Sequence, residues 1–307
     1  MLGAGAATVI YGLHRSGRLK SGPFGLEVSS RQHDRPQKIP GAPVRLLAPN
    51  QDEYLAEFGW SEADIKQMRV DHAKMGAPDR PAAGDVFLNR RFRRALPSTL
   101  ARLHRAEVYF GHGFFNIVGF GQLFKEAANI PKIGGFGIDE IGLLQWLFFE
   151  DAASFGFRGP RVTTDFLEGF RASEMHYEKR FGQYLFTRRA KPLWDRMRSD
   201  IGEDLILTSG ARGLPKQSRL FLDKLMAQQA NVSLVSRSLA PPGYSFHGVG
   251  DFDVGSRRLG AENFTHAFVY SQVFRRMQTL SYVELRYPDN NRLGVRYEPW
   301  HVKVAPG

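Results

Sequence analysis

The sequence predicts an α+β chain: a small, mainly antiparallel sheet with flanking helices, preceded by a helical region. Three observations carry this prediction. Between 100 and 198 apolar residues recur at helical spacing, as Ile141, Leu144, Leu147 and Phe148 do in "GIDEIGLLQWLFFEDAASFGF". Beyond 198, short apolar runs such as "DLILTSG" interleave irregularly with amphipathic stretches. Near the end, "YVELRY" and "RLGVRYEPWHVKV" flank "PDNN", a hairpin pattern rather than a strand–helix–strand one.

Composition bounds the chemistry. The chain has 307 residues, 42% hydrophobic and 24% charged, so a packed core is expected. A net charge of +11 favours anionic surroundings: nucleic acid, an acidic membrane face or an anionic wall polymer. With no cysteine, disulfides, thiolate nucleophiles and cysteine-ligated zinc are excluded. Any metal site must therefore use His, Asp or Glu.

Four segments follow along the chain. Residues 1–22 are apolar and then basic, too short to span a bilayer and lacking a basic start. They read as the remnant of an export signal or membrane anchor, or as a hydrophobic first helix. Residues 23–99 read as an extended, partly helical lead-in, Gly- and Pro-rich to 50, with a helix over 59–75 that Ser61 can cap. Its "NRRFRRALP" run is either a phosphate-gripping patch or a solvated face. No nucleic-acid motif accompanies it, so no nucleic-acid partner is expected. Residues 100–199 are a helical region packed on the catalytic unit. Its "GHGFF" and "IGGFG" lack the strand, GxGxxG and helix context of a phosphate loop. Residues 200–307 are the catalytic unit. There "KQSRLFLDKLMAQQA" reads as a helix, "VSLVSRS" as a strand and "AENFTHAFVYSQVFRRMQTL" as a further helix.

Two stretches of that unit carry chemistry: "SFHGVGDFDVG" at 245–255 and "YEPWHVKV" at 297–304. A catalytic zinc takes three protein ligands and keeps one open position. His247, Asp253 and His301 supply two imidazoles and a carboxylate. Asp251 and Asp253 are two apart and share a strand face. One can bind the metal while the other orients an imidazole N–H. Glu298 lies three residues before His301, on opposite faces of a flat strand. Pro299 favours a bulge that brings both to one cavity, where Glu298 can act as general base.

With these motifs the chain resembles the zinc D-alanyl-D-alanine carboxypeptidases and dipeptidases, which share the Hedgehog-type fold. Ser245, His247 and Gly250 fit the first family motif, and Glu298, Trp300 and His301 the second. "SGARGLPKQ" keeps Ser209, Gly210, Arg212 and Gln217 of a third. The resemblance covers about 200–304. The interval from His247 to Asp253 is one residue short of the family pattern and its alanine is lost. Asp253 is preferred to Asp251 because Val254 matches the aliphatic residue that follows the ligand. Ala211 and Gly213 replace the usual Tyr and Ser.

The resemblance implies zinc-dependent hydrolysis of the terminal D-alanyl-D-alanine bond of peptidoglycan stem peptides. Glu298 would be the base, and Arg212 the cation for the oxyanion or terminal carboxylate. Ser245 and Gln217 would hold substrate. Alternatives are an L,D-carboxypeptidase, a D,D-dipeptidase or a non-catalytic, zinc-stabilised peptidoglycan-binding module. The expected location is the bacterial envelope, periplasmic or membrane-anchored facing the periplasm, with peripheral or N-terminal membrane attachment.

Overall fold

The structure is a computed structural model that describes residues 73–305 together with Ser61, Ala63, Lys66 and Val70. The segment 1–22 and the lead-in as far as 60 lie outside the described residues. Of the helix expected over 59–75, the described positions 63, 66, 70 and 73–75 are helical.

Helix α1 (Arg90–Phe110) begins where the Asn89 side chain accepts the Phe92 amide at 2.9 Å. Phe92, Leu96, Leu103 and Ala106 form its buried stripe, while Arg90, Arg91, Arg93 and Arg94 are exposed. The arginine run is thus the outer face of a helix start, with Arg91 paired to Asp139 at 2.7 Å. Helices α2 (His112–Phe115), α3 (Phe120–Asn129) and α4 (Ile138–Phe149) follow. Their buried faces join helix α6 (Leu214–Ala227) in one core, which holds Leu147, Phe148, Phe221 and Leu225. Each side chain buried this fully contributes about 1.5–3 kcal/mol.

A two-stranded hairpin, β1 (Met175–Glu178) and β2 (Gln183–Phe186), interrupts the region expected to be mainly helical. Its turn needs Gly182, at φ 66°, and the Tyr177 and Tyr184 rings meet across it at 4.8 Å.

The second sheet is wholly antiparallel, in the order β3 (Leu205–Ser209), β4 (Phe252–Ser256), β6 (Glu298–Lys303), β5 (Glu284–Tyr287). Leu205, Leu207, Phe252, Val254, Trp300 and Val302 form a second core with Trp194 and Met197 of α5 (Ala190–Ile201). Phe274 and Met277 of α8 (Gln272–Thr279) complete it. Mixed helices and small antiparallel sheets behind a helical region are the architecture expected from the sequence. Among the described residues no helix is long and apolar enough to cross a membrane.

Two local expectations are corrected. "VSLVSRS" is not a strand: Val232–Ser236 is a short helix, α7. Asn231 caps it through the Leu234 amide, and the Val86 carbonyl accepts the Val232 and Ser233 amides. Capping and tertiary packing override the β preference of the valines. "AENFTHAFVYSQVFRRMQTL" is not one helix but two 3-10 turns, Gly260–Phe264 and His266–Tyr270, followed by α8. The Thr265 and Ser271 hydroxyls accept the Ala267 and Phe274 amides and restart the chain twice.

Candidate metal centre

Strand alternation explains how one sheet carries both a core and a site. Phe252 and Val254 enter the apolar core, so Asp253 between them faces the other way. His301, between Trp300 and Val302, does the same, and it pairs with Asp253 across β4 and β6. On the far side of β4, Asp253 pairs with Ser209, past an irregularity in β3 that leaves Thr208 without a partner position. Ser209, Asp253 and His301 therefore form a row across three strands.

His247 joins from outside the sheet, on a 3-10 turn, Phe246–Gly248. Gly250, at φ 126°, turns the chain from there back into β4. One ligand atom each from His247, Asp253 and His301 lies within 4.8 Å of the others, and all three residues are buried.

Outer hydrogen bonds set the ring orientations. His247 Nδ1 donates to the Gly210 carbonyl at 2.8 Å, leaving Nε2 as a bare acceptor. That nitrogen sits 3.2 Å from Asp253 Oδ2, and two acceptors this close require a cation between or beside them. Arg212 Nη2 meets the need, at 3.1 Å from His247 Nε2 and 3.2 Å from Asp253 Oδ2. His301 Nε2 donates to Asp251 Oδ2 at 3.2 Å, which turns Nδ1 toward Asp253 Oδ1 at 3.3 Å and Glu298 Oε2 at 3.4 Å. Asp251 is held in turn by both ends of Arg286, at 2.6 and 3.0 Å, and by the Val304 amide at 2.8 Å. The Arg286 guanidinium lies over the Phe246 ring, 3.9 Å from its centre.

The expected bulge around Pro299 is present. Leu285 pairs with Val302 but Tyr287 pairs with Glu298, so two steps along β5 match four along β6. Across this irregularity Glu298 Oε2 comes within 3.4 Å of His301 Nδ1, so both side chains reach one cavity.

Electrostatics are consistent with a cation site. Burial pushes the Asp253 carboxyl up, but His247, His301 and Arg212 outweigh it and hold the group well below the usual carboxylate range. Burial and the Arg212 charge push His247 down, favouring its neutral, ligand-ready form. Burial also opposes charge on His301, yet Asp253, Asp251 and Glu298 prevail and raise it to about 9. Asp253 Oδ1 is buried with no hydrogen-bond partner. An orphaned carboxylate oxygen between two inward-facing imidazole nitrogens fits a divalent, N- and O-ligated metal such as zinc.

Of the other residues singled out, Arg212 is buried and donates to Ser209 Oγ at 2.9 Å and Gln217 Oε1 at 3.1 Å. Gln217 Nε2 donates to the Ala240 carbonyl at 2.5 Å, so its amide is engaged in holding Arg212 and the chain behind it. Ser245 is buried and precedes the His247 turn. Sequence reasoning gave no role to Arg286 or Tyr287, and it named Ser209 only as a motif match. Alternation in "LILTS" would put Ser209 on the core face with Leu205 and Leu207, and only the irregularity at Thr208 turns it to the site; nothing local marks Arg286.

The helical region and the hairpin also touch this site. The Ala211 amide donates to Tyr184 O and the Gly213 amide to Asn116 O, both at 2.7 Å. The Gly210 amide donates to Gln183 Oε1 at 3.3 Å. A Cβ on Gly210 would lie 2.1 Å from Tyr184 O, so only glycine allows this approach.

Comparison with known proteins agrees with the motif resemblance. Residues 186–306 match the VanY family, described as D-alanyl-D-alanine carboxypeptidase. Among solved structures, the LdcB LD-carboxypeptidase is 24% identical with a TM-score of 0.36, the match covering 44% of this chain and 69% of that one. VanYB in complex with D-Alanine-D-Alanine is 24% identical with a TM-score of 0.35, covering 44% of this chain and 81% of that one. No curated protein sequence matches the chain.

Proposed function

We propose that the VanY-like segment 186–306 is a zinc-dependent carboxypeptidase that removes the terminal D-alanine from peptidoglycan stem peptides ending in D-alanyl-D-alanine. The observation that carries this reading is Glu298, bulged to within 3.4 Å of His301 beside three buried candidate ligands. A structural metal needs no such carboxylate.

His247 Nε2, Asp253 and His301 Nδ1 would hold the ion. Bound there, zinc would polarise the scissile carbonyl and acidify water. Glu298 accepts the proton of the attacking water as the new C–O bond forms. It returns that proton to the departing amine as the C–N bond breaks, leaving a carboxylate and free D-alanine. Arg212 places a buried, forked cation at the same centre, suited to the oxyanion or to the substrate's terminal carboxylate. Gln217 and Ser209 hold that fork in register. Ser245, buried two residues before His247, would help hold the substrate peptide. With such a substrate the protein would work in the bacterial envelope, facing the periplasm.

The test is one assay of zinc-loaded protein on muropeptides ending in D-alanyl-D-alanine, followed by mass spectrometry, with a chelated sample alongside. Expected is release of single D-alanine, lost on chelation and restored by zinc. Release only from tetrapeptides would assign L,D-carboxypeptidase activity, and cleavage only of the free dipeptide a D,D-dipeptidase. Zinc binding without any hydrolysis would leave a binding module.

A further inference from the structure

Helix α1 presents one outward face along its whole length, and that face carries no carboxylate. Arg90, Arg94, Ala101, Arg105 and Val108 fall within about 60° of one another around the helix axis, and all are exposed. Arg91 and Arg93 flank this line. The one acid of the helix, Glu107, is buried on the other side against Lys216 and Arg219 of α6.

The surroundings do not balance this charge. Asp139 takes Arg91 at 2.7 Å, Glu140 takes Arg102 at 3.0 Å, and Asp223 is shared by Arg219 and His104. The Arg93 side chain reaches only the Gln229 carbonyl and that of Arg105 only the Ile133 carbonyl, contacts that cancel no charge. Arg90 and Arg94 meet no partner among the described residues. Their placement also opposes helix stability: they stand one turn apart, as like charges, at the end where the helix dipole is positive. Packing does not require them, since Phe92, Leu96, Leu103 and Ala106 make the buried stripe. Cations kept where the fold is better without them point to a partner outside it.

The last turn of the same face is of another kind. Val108 is 77% exposed and Tyr109 48%. The Phe110 and Phe114 rings continue from Tyr109, at 5.3 and then 6.2 Å between centres, and Phe114 is exposed on α2. A dissolved polyanion would use the arginines and leave this apolar end idle. An anionic bilayer surface uses both, headgroup phosphates taking the arginines and the acyl boundary taking the apolar and aromatic side chains. We propose that the outward face of α1, extended by Phe114, docks on an anionic lipid surface. The inference is independent of the hydrolytic reading.

The test is flotation of the full chain with vesicles of phosphatidylglycerol and phosphatidylcholine, compared with phosphatidylcholine alone. Expected is binding to the anionic vesicles that weakens with salt. Arg90→Gln with Arg94→Gln should lower the partition constant at least about tenfold, as the loss of two basic residues near an anionic surface. Val108→Ser should lower it about fourfold, the scale of one methylene withdrawn from the bilayer boundary. Arg257→Gln with Arg275→Gln removes the same charge from exposed arginines off this face, whose side chains each contact only a carbonyl. That pair should change the constant by less than about twofold, because distant exposed charges are screened. Replacing Arg90 and Arg94 relieves a repulsion, so the denaturation midpoint should hold or rise, and lost binding is then not lost fold. Equal binding to both vesicle types, equal losses in the two arginine pairs, or indifference to Arg90→Gln with Arg94→Gln would overturn the surface. Anionic-vesicle binding that ignores Val108→Ser would mark a general polyanion site and overturn it too.

Discussion

Asp251 and Asp253 grip opposite nitrogens of the same ring: Asp251 Oδ2 accepts His301 Nε2 at 3.2 Å, while Asp253 Oδ1 stands 3.3 Å from Nδ1. One carboxylate therefore orients the imidazole and the other shares its open face. Asp251→Asn is expected to keep the ligand set but weaken zinc binding roughly 10- to 100-fold. Competition titration with a zinc chelator of known affinity measures this; an unchanged affinity would remove Asp251 from the supporting role.

Glu298 and His301 separate into different phenotypes. Glu298→Gln should retain stoichiometric zinc while hydrolysis falls by roughly 10²–10⁴. His301→Ala should lose both tight zinc binding and activity. Metal analysis paired with single-turnover assays on each variant distinguishes them. Substantial activity in a fully loaded Glu298→Gln protein would sink the base assignment.

Replacing Arg212 with Lys keeps a charge but loses the fork that reaches Ser209 and Gln217 together. The expected result is a kcat loss of about 10²–10³ with zinc content unchanged. A variant with full turnover would reduce Arg212 to a structural pair.

Protonation of His301 yields a pH prediction with a definite sign. Its value in the folded, metal-free protein is raised from 6.5 to about 9. Its contribution to stability is then complete below about pH 6.5 and disappears as pH rises through about 9. Asp253 acts in the opposite sense, its contribution being lost as acid protonates the depressed carboxyl. Zinc must displace the His301 proton, so affinity should climb with pH across the same upper window. Denaturant unfolding and zinc titration at several pH values check both slopes.

Gly210→Ala tests the join between hairpin and catalytic loop. The added Cβ meets Tyr184 O at 2.1 Å, backbone against backbone, so one of the two must move. A destabilisation of about 1–3 kcal/mol, seen in chemical denaturation, is expected. Because Arg212 lies two residues on, kcat should fall as well.

Much of the centre was legible in the chain. His247, His301 and Glu298 were singled out from residue type and spacing, and Asp253 over Asp251 from the family resemblance; the structure brings His247, Asp253 and His301 together, with Glu298 beside His301. Strand alternation put Asp251 and Asp253 together. What failed was local: "VSLVSRS" looked like a strand because its valines favour one, and the Asn231 cap acts only with Val86 in place. The β1–β2 hairpin escaped for the same reason, being four-residue strands whose partners are each other and the loop they cover.

By itself the sequence determined which chemical groups are present and how they alternate along each strand, since side-chain direction in a strand follows a period of two. Only tertiary structure decided that Asp253 sits with His247 and His301 while Asp251 turns to Nε2 and Arg286. Both aspartates lie on one face. The choice between them depends on cross-strand register and on a charge from another strand, Arg286, neither of which is encoded within reach of the motif.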